Sequence, residues 1–98
     1  MQIAPDVGDV SPTYEVVLRP AAQRALRHAD RPIQRRLVNA MTDLETAPRP
    51  QGVKALKGQR GLLRIRVGDY RVVYEVRDRE LVVYVVNIGH RSKIYELL

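Results

Sequence analysis

Apolar and polar positions alternate at both ends of this chain and recur every third or fourth residue between them. "TYEVVLR", residues 13–19, alternates and is rich in β-branched side chains, which predicts a strand. Pro20 follows, suited to the first position of a helix because the N–H it lacks would go unpaired there. From it Ala22, Ala25, Leu26 and Ala29 fall on one helical face. Asp30 is placed to N-cap a second helix with Pro32 in its first turn. In that helix Ile33, Leu37, Ala40, Met41 and Leu44 recur at spacings of three and four, with Gln34, Arg35, Asn39 and Asp43 on the polar face. "APRPQG", residues 47–52, breaks the pattern, and "VKALKGQRG", residues 53–61, reads as a short basic connection punctuated by glycine. Three strands then close the chain, at 62–67, 70–77 and 80–88, before "HRSKIYELL", which predicts a turn of helix or an extra strand. The order β-α-α-β-β-β over residues 13–98 predicts a small α+β domain, a helical hairpin packed on a mostly antiparallel, twisted sheet. Residues 1–12, "MQIAPDVGDVSP", are rich in Pro, Gly and Asp and predict a flexible N-terminal extension.

The strands at 62–77 carry three arginines in otherwise apolar sequence, "GLLRIRVGDYRVVYEV". A two-residue turn at Gly68-Asp69 sets Val67 against Tyr70, Arg66 against Arg71, Ile65 against Val72 and Arg64 against Val73. Period-two alternation then puts Leu63, Ile65, Val67, Tyr70, Val72, Tyr74 and Val76 toward the helices, and Arg64, Arg66 and Arg71 on the opposite face. Like charges directly across a strand pair are destabilising. Paired guanidiniums on a stiff sheet make sense where an anion sits between them, since the planar fork donates two hydrogen bonds to phosphate at once. The alternative is a twisted sheet whose arginines splay into water or pair with Glu75. A second turn at Asp78-Arg79 would place Tyr74 against Val83, Val72 against Val85 and Arg71 against Val86. The last strand, apolar on both faces, reads as a central strand that delivers Gly89, His90 and Arg91 to the end of the sheet.

Composition narrows what such a face can do. Ninety-eight residues make one domain, 45 % apolar but without Phe or Trp. The absence of cysteine excludes disulfides, thiolate metal sites and thiol catalysis, and fits a reducing cytoplasm. No apolar run approaches the roughly 18 residues of a membrane span, and the first residues lack the pattern of a signal peptide, so a cytoplasmic protein is expected. Net charge is +6, and residues 49–71 hold seven basic side chains against Asp69 alone. The remaining ten basic and ten acidic residues cancel. One basic segment on a neutral body points to a polyanion site.

The segments "LKGQRGLLRIRVGDYRVVYEV", "VVYVVNIGHR" and "IYELL", with "RPIQRRLVNAMTDLETAPRPQG" before them, resemble the RelE branch of the RelE/ParE toxin superfamily over residues 13–98. The resemblance implies the toxin of a type II toxin–antitoxin pair. It implies a ribosome-dependent endoribonuclease that cuts mRNA in the A site, using the RNA's own 2′-hydroxyl to leave a 2′,3′-cyclic phosphate, without metal or other cofactor. Its implied partners are a cognate antitoxin, mRNA and the 16S rRNA of the ribosome. No membrane is implied, and no DNA except as the toxin–antitoxin complex on its operator. Matched by position, Arg64 and Arg66 stand where the best-known members carry lysine. Arg71, Arg91 and Tyr95 match the remaining site residues, with His90 a further candidate, while Lys54, Lys57 and Arg60 would hold RNA.

Arginine cannot lose its proton in a protein, so Arg64 and Arg66 can clamp phosphate but not act as general base. That leaves Tyr95, which could instead anchor the C-terminus or stack on a base, and His90, of the residue type that titrates nearest neutrality. His90 reads equally as a surface side chain at a turn. Two other functions stay open: a ParE-like DNA gyrase inhibitor, and a toxin homologue that binds RNA but cuts weakly.

Overall fold

A computed structural model describes residues 13–97; the N-terminal segment 1–12 and Leu98 lie outside the described residues. The elements are β1 (Glu15–Leu18), α1 (Pro20–His28), α2 (Arg31–Asp43), β2 (Lys54–Ala55), β3 (Leu62–Val67), β4 (Tyr70–Arg77), β5 (Val82–His90) and a closing 3-10 helix (Ile94–Leu97). One sheet runs in the order β1-β5-β4-β3-β2, with β1 parallel to β5 and every other pair antiparallel. This is the α+β arrangement the sequence predicted, extended by the two-residue β2 in the segment read as a basic connection. The C-terminal segment resolves into the helical alternative. No helix among the described residues is long and apolar enough to cross a membrane.

Each helix begins with proline in its first turn. Asp30 holds the N-cap position of α2, but its side chain makes no capping bond; only its carbonyl takes part, accepting from the Gln34 N–H at 2.8 Å. Gln34 Nε2 in turn donates to the Leu26 carbonyl at 2.8 Å. That bond satisfies an end carbonyl of α1 and ties the two helices together. Their apolar stripes supply Ala22, Leu37, Met41 and Leu44 to one core, completed from the sheet by Ile65, Val72, Tyr74, Val83, Val85 and Ile88.

The β3–β4 hairpin has the predicted register, Arg66 opposite Arg71 and Arg64 opposite Val73. The β4–β5 hairpin does not. Arg77 pairs with Val82 and Tyr74 with Val85, two residues further along β5 than the sequence implied. A two-residue turn of the favoured kind needs left-handed backbone that Asp78-Arg79 supplies poorly. The chain uses residues 78–81 instead and places Leu81 at φ 57°. A shift of two preserves the faces, but a bulge between Val73 and Tyr74 then leaves Val86 without a partner. Val83, Val85 and Ile88 consequently all reach the core, and Arg71 lies opposite Gly89 rather than Val86. Asn87, buried at the bulge, accepts the Ile88 N–H through Oδ1 at 2.9 Å.

At the opposite end of the sheet Arg49 donates to both oxygens of Asp78, at 3.1 and 2.9 Å, and the Tyr14 hydroxyl donates to Oδ1 at 2.8 Å. The Tyr74 hydroxyl, from within the core, donates to the Pro48 carbonyl at 2.7 Å. The proline loop is therefore fastened to β4 and to the β4–β5 turn.

Candidate nucleic-acid interface

The sheet face turned away from the helices carries Arg64 and Arg66 on β3 and Arg71 on β4, with Lys54 of β2 directly beside Arg64. Two residues of strand separate Arg64 from Arg66, about 6.6–6.8 Å. The closing 3-10 helix docks on this same face. Ile94 is wholly buried there, seated over Gly89, where a Cβ would come within 3.1 Å of Ile94 Cδ1. Glycine at 89 thus makes room for Ile94, and Ile94 fixes where its neighbour Tyr95 stands.

Two adjoining zones result. The first is a cavity of about 490 Å³ lined by Lys54, Ala55, Leu56, Lys57, Gln59, Arg64 and Tyr95. Arg64 Nε and Nη1 are buried, and nothing among the described residues accepts a hydrogen bond from either. Tyr95 is half exposed and, among the described residues, supplies the only hydroxyl side chain lining the cavity. The second zone surrounds the Gly68-Asp69 turn. Arg71, 7 % exposed, is held there by its Nη1, which donates to the carbonyls of Gly68 and Tyr70 at 3.1 and 3.0 Å. The Arg91 N–H donates to the Asp69 carbonyl at 2.7 Å, and Arg91 Nε lies 3.9 Å from Asp69 Oδ1. Arg66 is exposed across from Arg71.

Two sequence candidates lie apart from these zones. His90 pairs with Tyr70, so its side chain leaves on the helix side of the sheet, where the two rings meet edge to face at 5.9 Å. Its Nδ1 accepts from the Ser92 N–H at 3.2 Å. The bulge is the reason: without it residue 90 would share the parity of the arginine face. Arg60 lines an adjoining groove with Arg49, Leu62, Leu63 and Val76, which shares Ala55, Leu56 and Gln59 with the Arg64 cavity but not Arg64 itself. Two further residues carry no signal in the sequence. Gln59 lines the arginine cavity, and Arg36 of α2 lies over Gly68, its Nη2 2.8 Å from where a Cβ would be. Arg36 sits on the polar face of a helix, and nothing local announces that it reaches a turn 32 residues on.

A face of this kind can hold polyanionic ligand in two adjacent steps, one at each zone. Among the described residues no group of three His, Cys, Asp or Glu could hold a metal ion.

The sequence pattern of the family described as ParE toxin of type II toxin–antitoxin system, parDE, matches residues 16–95. No curated protein matches the chain. Among solved structures, the archaeal RelE–RelB complex from Pyrococcus horikoshii is similar at 30 % identity and TM-score 0.72, over 83 % of this chain and 98 % of that one. The RelBE2 toxin–antitoxin complex of Mycobacterium tuberculosis is similar at 28 % identity and TM-score 0.71, over 82 % and 93 %. The intact RelBE complex of Escherichia coli shares the fold at 24 % identity and TM-score 0.69, over 79 % and 95 %.

Proposed function

The chain belongs to the ParE toxin family of type II toxin–antitoxin systems, and within it we propose a RelE-type endoribonuclease that cuts mRNA in the ribosomal A site. The observation that carries this reading is Arg64: it lines the cavity together with Lys54, Lys57 and Tyr95, and two of its guanidinium donors are buried without an acceptor among the described residues. Burying unpaired charged donors is unfavourable unless an anion completes them. An RNA phosphate has the charge and the paired oxygens that a guanidinium fork takes.

Cleavage requires the 2′-oxygen to attack the adjacent phosphorus while the P–O5′ bond breaks, one proton leaving the 2′-hydroxyl and one reaching the 5′-oxygen. Arg64, Arg66, Arg71 and Arg91 bind the phosphate and offset the charge that builds on its oxygens, the largest single contribution in most such reactions. Arg71 suits that role because the turn carbonyls already fix its orientation. Tyr95 gives its phenolic proton to the departing 5′-oxygen and regains one from solvent, while the 2′-hydroxyl proton passes to solvent water. Lys54 and Lys57 hold the flanking backbone, and Arg60 extends the contact beyond the β2–β3 edge. His90 takes no step in this scheme. Antitoxin complexes among the similar structures support a cognate antitoxin as partner.

The ParE description of the matching family favours a second reading, DNA gyrase inhibition. Primer extension on a reporter mRNA, with and without translating ribosomes, separates the two. The expected result is ribosome-dependent cuts at A-site codons, slowed about 100-fold or more in Arg64→Met and in Arg71→Ala, the usual consequence of losing one charge-stabilising donor. Growth arrest without any cut, accompanied by gyrase-dependent DNA breaks, would support the second reading and overturn the first.

A further inference from the structure

The connection from β2 to β3 is a closed loop whose backbone holds one side chain at a fixed place. Gly58 and Gly61 take φ of 74° and 80°, the left-handed region that glycine enters without strain. Between them stand Gln59 and Arg60. The Leu56 N–H donates to the Leu62 carbonyl at 3.0 Å and closes the loop at its base. Gln59 is pinned inside it through both backbone groups. Its N–H donates to the Leu56 carbonyl at 3.4 Å, and its carbonyl accepts from the Leu62 N–H at 3.1 Å. The residue is exposed, and its side-chain amide makes no hydrogen bond among the described residues. With Ala55 and Leu56 it lines both the Arg64 cavity and the adjoining Arg60 groove, so it stands on the wall between two hollows.

We infer that Gln59 is a specificity-determining residue that reads one nucleobase of the cut strand and selects adenine, an inference that rests on the RNA-cutting function proposed above. Phosphate carries no sequence information, so Arg64, Lys54 and Lys57 cannot choose between bases by holding it. A base is chosen by matching donors and acceptors along its edge. Of the side chains lining the cavity among the described residues, Gln59 alone carries a donor and an acceptor on separate atoms, Nε2 and Oε1. Such an amide pairs with adenine through two bonds at once, Oε1 accepting from N6 and Nε2 donating to N7. Adenine presents a donor beside an acceptor on both of its exposed edges, N6 beside N7 and N6 beside N1. Guanine, cytosine and uracil do so on the Watson–Crick edge alone, and RNA bases are read on either edge. The apolar Ala55 and Leu56 on the same wall give the base a surface to lie against. A reading group is most selective when it is held before its ligand arrives, and the pinned backbone of Gln59 supplies that.

The test uses the full chain, translating ribosomes and reporter messages in which each position of the A-site codon carries each base in turn, with cuts followed by primer extension at early times. At one codon position the parent chain should cut about 5- to 100-fold faster with adenine than with the other bases, the discrimination of one bidentate pair. Gln59→Ala should level the rates at that position. Gln59→Glu offers acceptors only, so it should move the preference from adenine to cytosine or guanine, whose N4 or N1 and N2 donate. Rates are compared as ratios within one variant, so an added negative charge that weakens all RNA binding cancels. Where no message is cut, the deciding measurement is anisotropy with labelled 2′-O-methyl hexanucleotides of uridine that carry a single central adenine, cytosine, guanine or uridine. These lack the attacking hydroxyl and report base reading without cleavage, so the RNA-cutting function and the role of Gln59 fail separately. An adenine preference that Gln59→Ala removes and Gln59→Glu redirects supports the inference. A base preference that Gln59→Ala leaves unchanged overturns it, and so does a parent chain that favours adenine at no position.

Discussion

Arg64 and Tyr74 are both polar side chains taken out of water, and the fold treats them oppositely. Arg64 has two donors with no acceptor, a condition that costs at least about 1–3 kcal/mol for a charged group and is tolerable where a ligand removes it. Tyr74 is fully buried, but its hydroxyl reaches the Pro48 carbonyl at 2.7 Å, so the phenol is satisfied within the fold. Tyr74→Phe should therefore destabilise the protein by about 1–3 kcal/mol, by leaving that carbonyl without its donor, and should leave the cavity on the other face unchanged. Urea unfolding measures the loss. The same residue predicts an alkaline limb. Burial pushes the Tyr74 phenol up from 10.0 to about 12, so the folded chain keeps a proton that the unfolded chain has already released. The contribution is fully present below about pH 10 and disappears as the pH rises toward 12. Urea midpoints of the parent chain should fall across that interval more steeply than those of Tyr74→Phe; parallel curves would mean that the phenol titrates alike in both states.

At the scale of elements the β4–β5 hairpin decides which side chains meet. Leu81 holds φ 57° without being glycine, a conformation that costs an L-residue roughly 1–2 kcal/mol. At 39 % exposure it packs too little to offset that cost fully. Leu81→Gly should stabilise the protein by about 0.5–1 kcal/mol after glycine's own entropic penalty, raising the melting temperature by about 2–6 °C. A lowered melting temperature would show that the Leu81 side chain contributes more by packing than the backbone loses by strain. This turn also marks where the sequence stops being legible. Gly68-Asp69 states its own geometry, so the placing of Arg64, Arg66 and Arg71 on one face could be read directly. Asp78-Arg79 resembles a turn equally well but lacks the glycine that a two-residue connection wants, and β5 slides by two. Within "VVYVVNIGH" nothing local distinguishes the residue that bulges, because Val85 and Val86 have the same size and the same β propensity. That one unpaired residue sends His90 to the helix side and brings Gly89 to Arg71. The register of Lys54 against Arg64 was equally unreadable: two residues of strand leave no periodicity to detect.

Across the whole molecule, the basic segment 49–71 was legible in the sequence, whereas a sum over the rest of the chain hides where its ten basic and ten acidic residues stand. Where such carboxylates have partners they hold the fold together, and Asp78 is the clearest. It joins the residue before β1, the proline loop and the β4–β5 turn through Tyr14, Arg49 and its own position, at the end of the sheet remote from the Gly68-Asp69 turn. The hydrogen bond from Arg49, and after it the one from Tyr14, hold the Asp78 carboxyl down to about 2 from 3.8. A depressed folded-state value means that the unfolded chain takes up the proton first. The clamp therefore contributes fully above about pH 4 and is lost as the pH falls through 2. Asp78→Asn removes the titrating group and keeps its shape. Urea midpoints of the parent chain should drop more than those of Asp78→Asn between about pH 4 and pH 2, and the gap should narrow in high salt because the pair is half exposed. Superimposable pH curves for the two proteins would make the Arg49–Asp78 contact a surface pair of no consequence. The Tyr74–Pro48 bond would then be the remaining side-chain hydrogen bond, among the described residues, from the sheet to the proline loop.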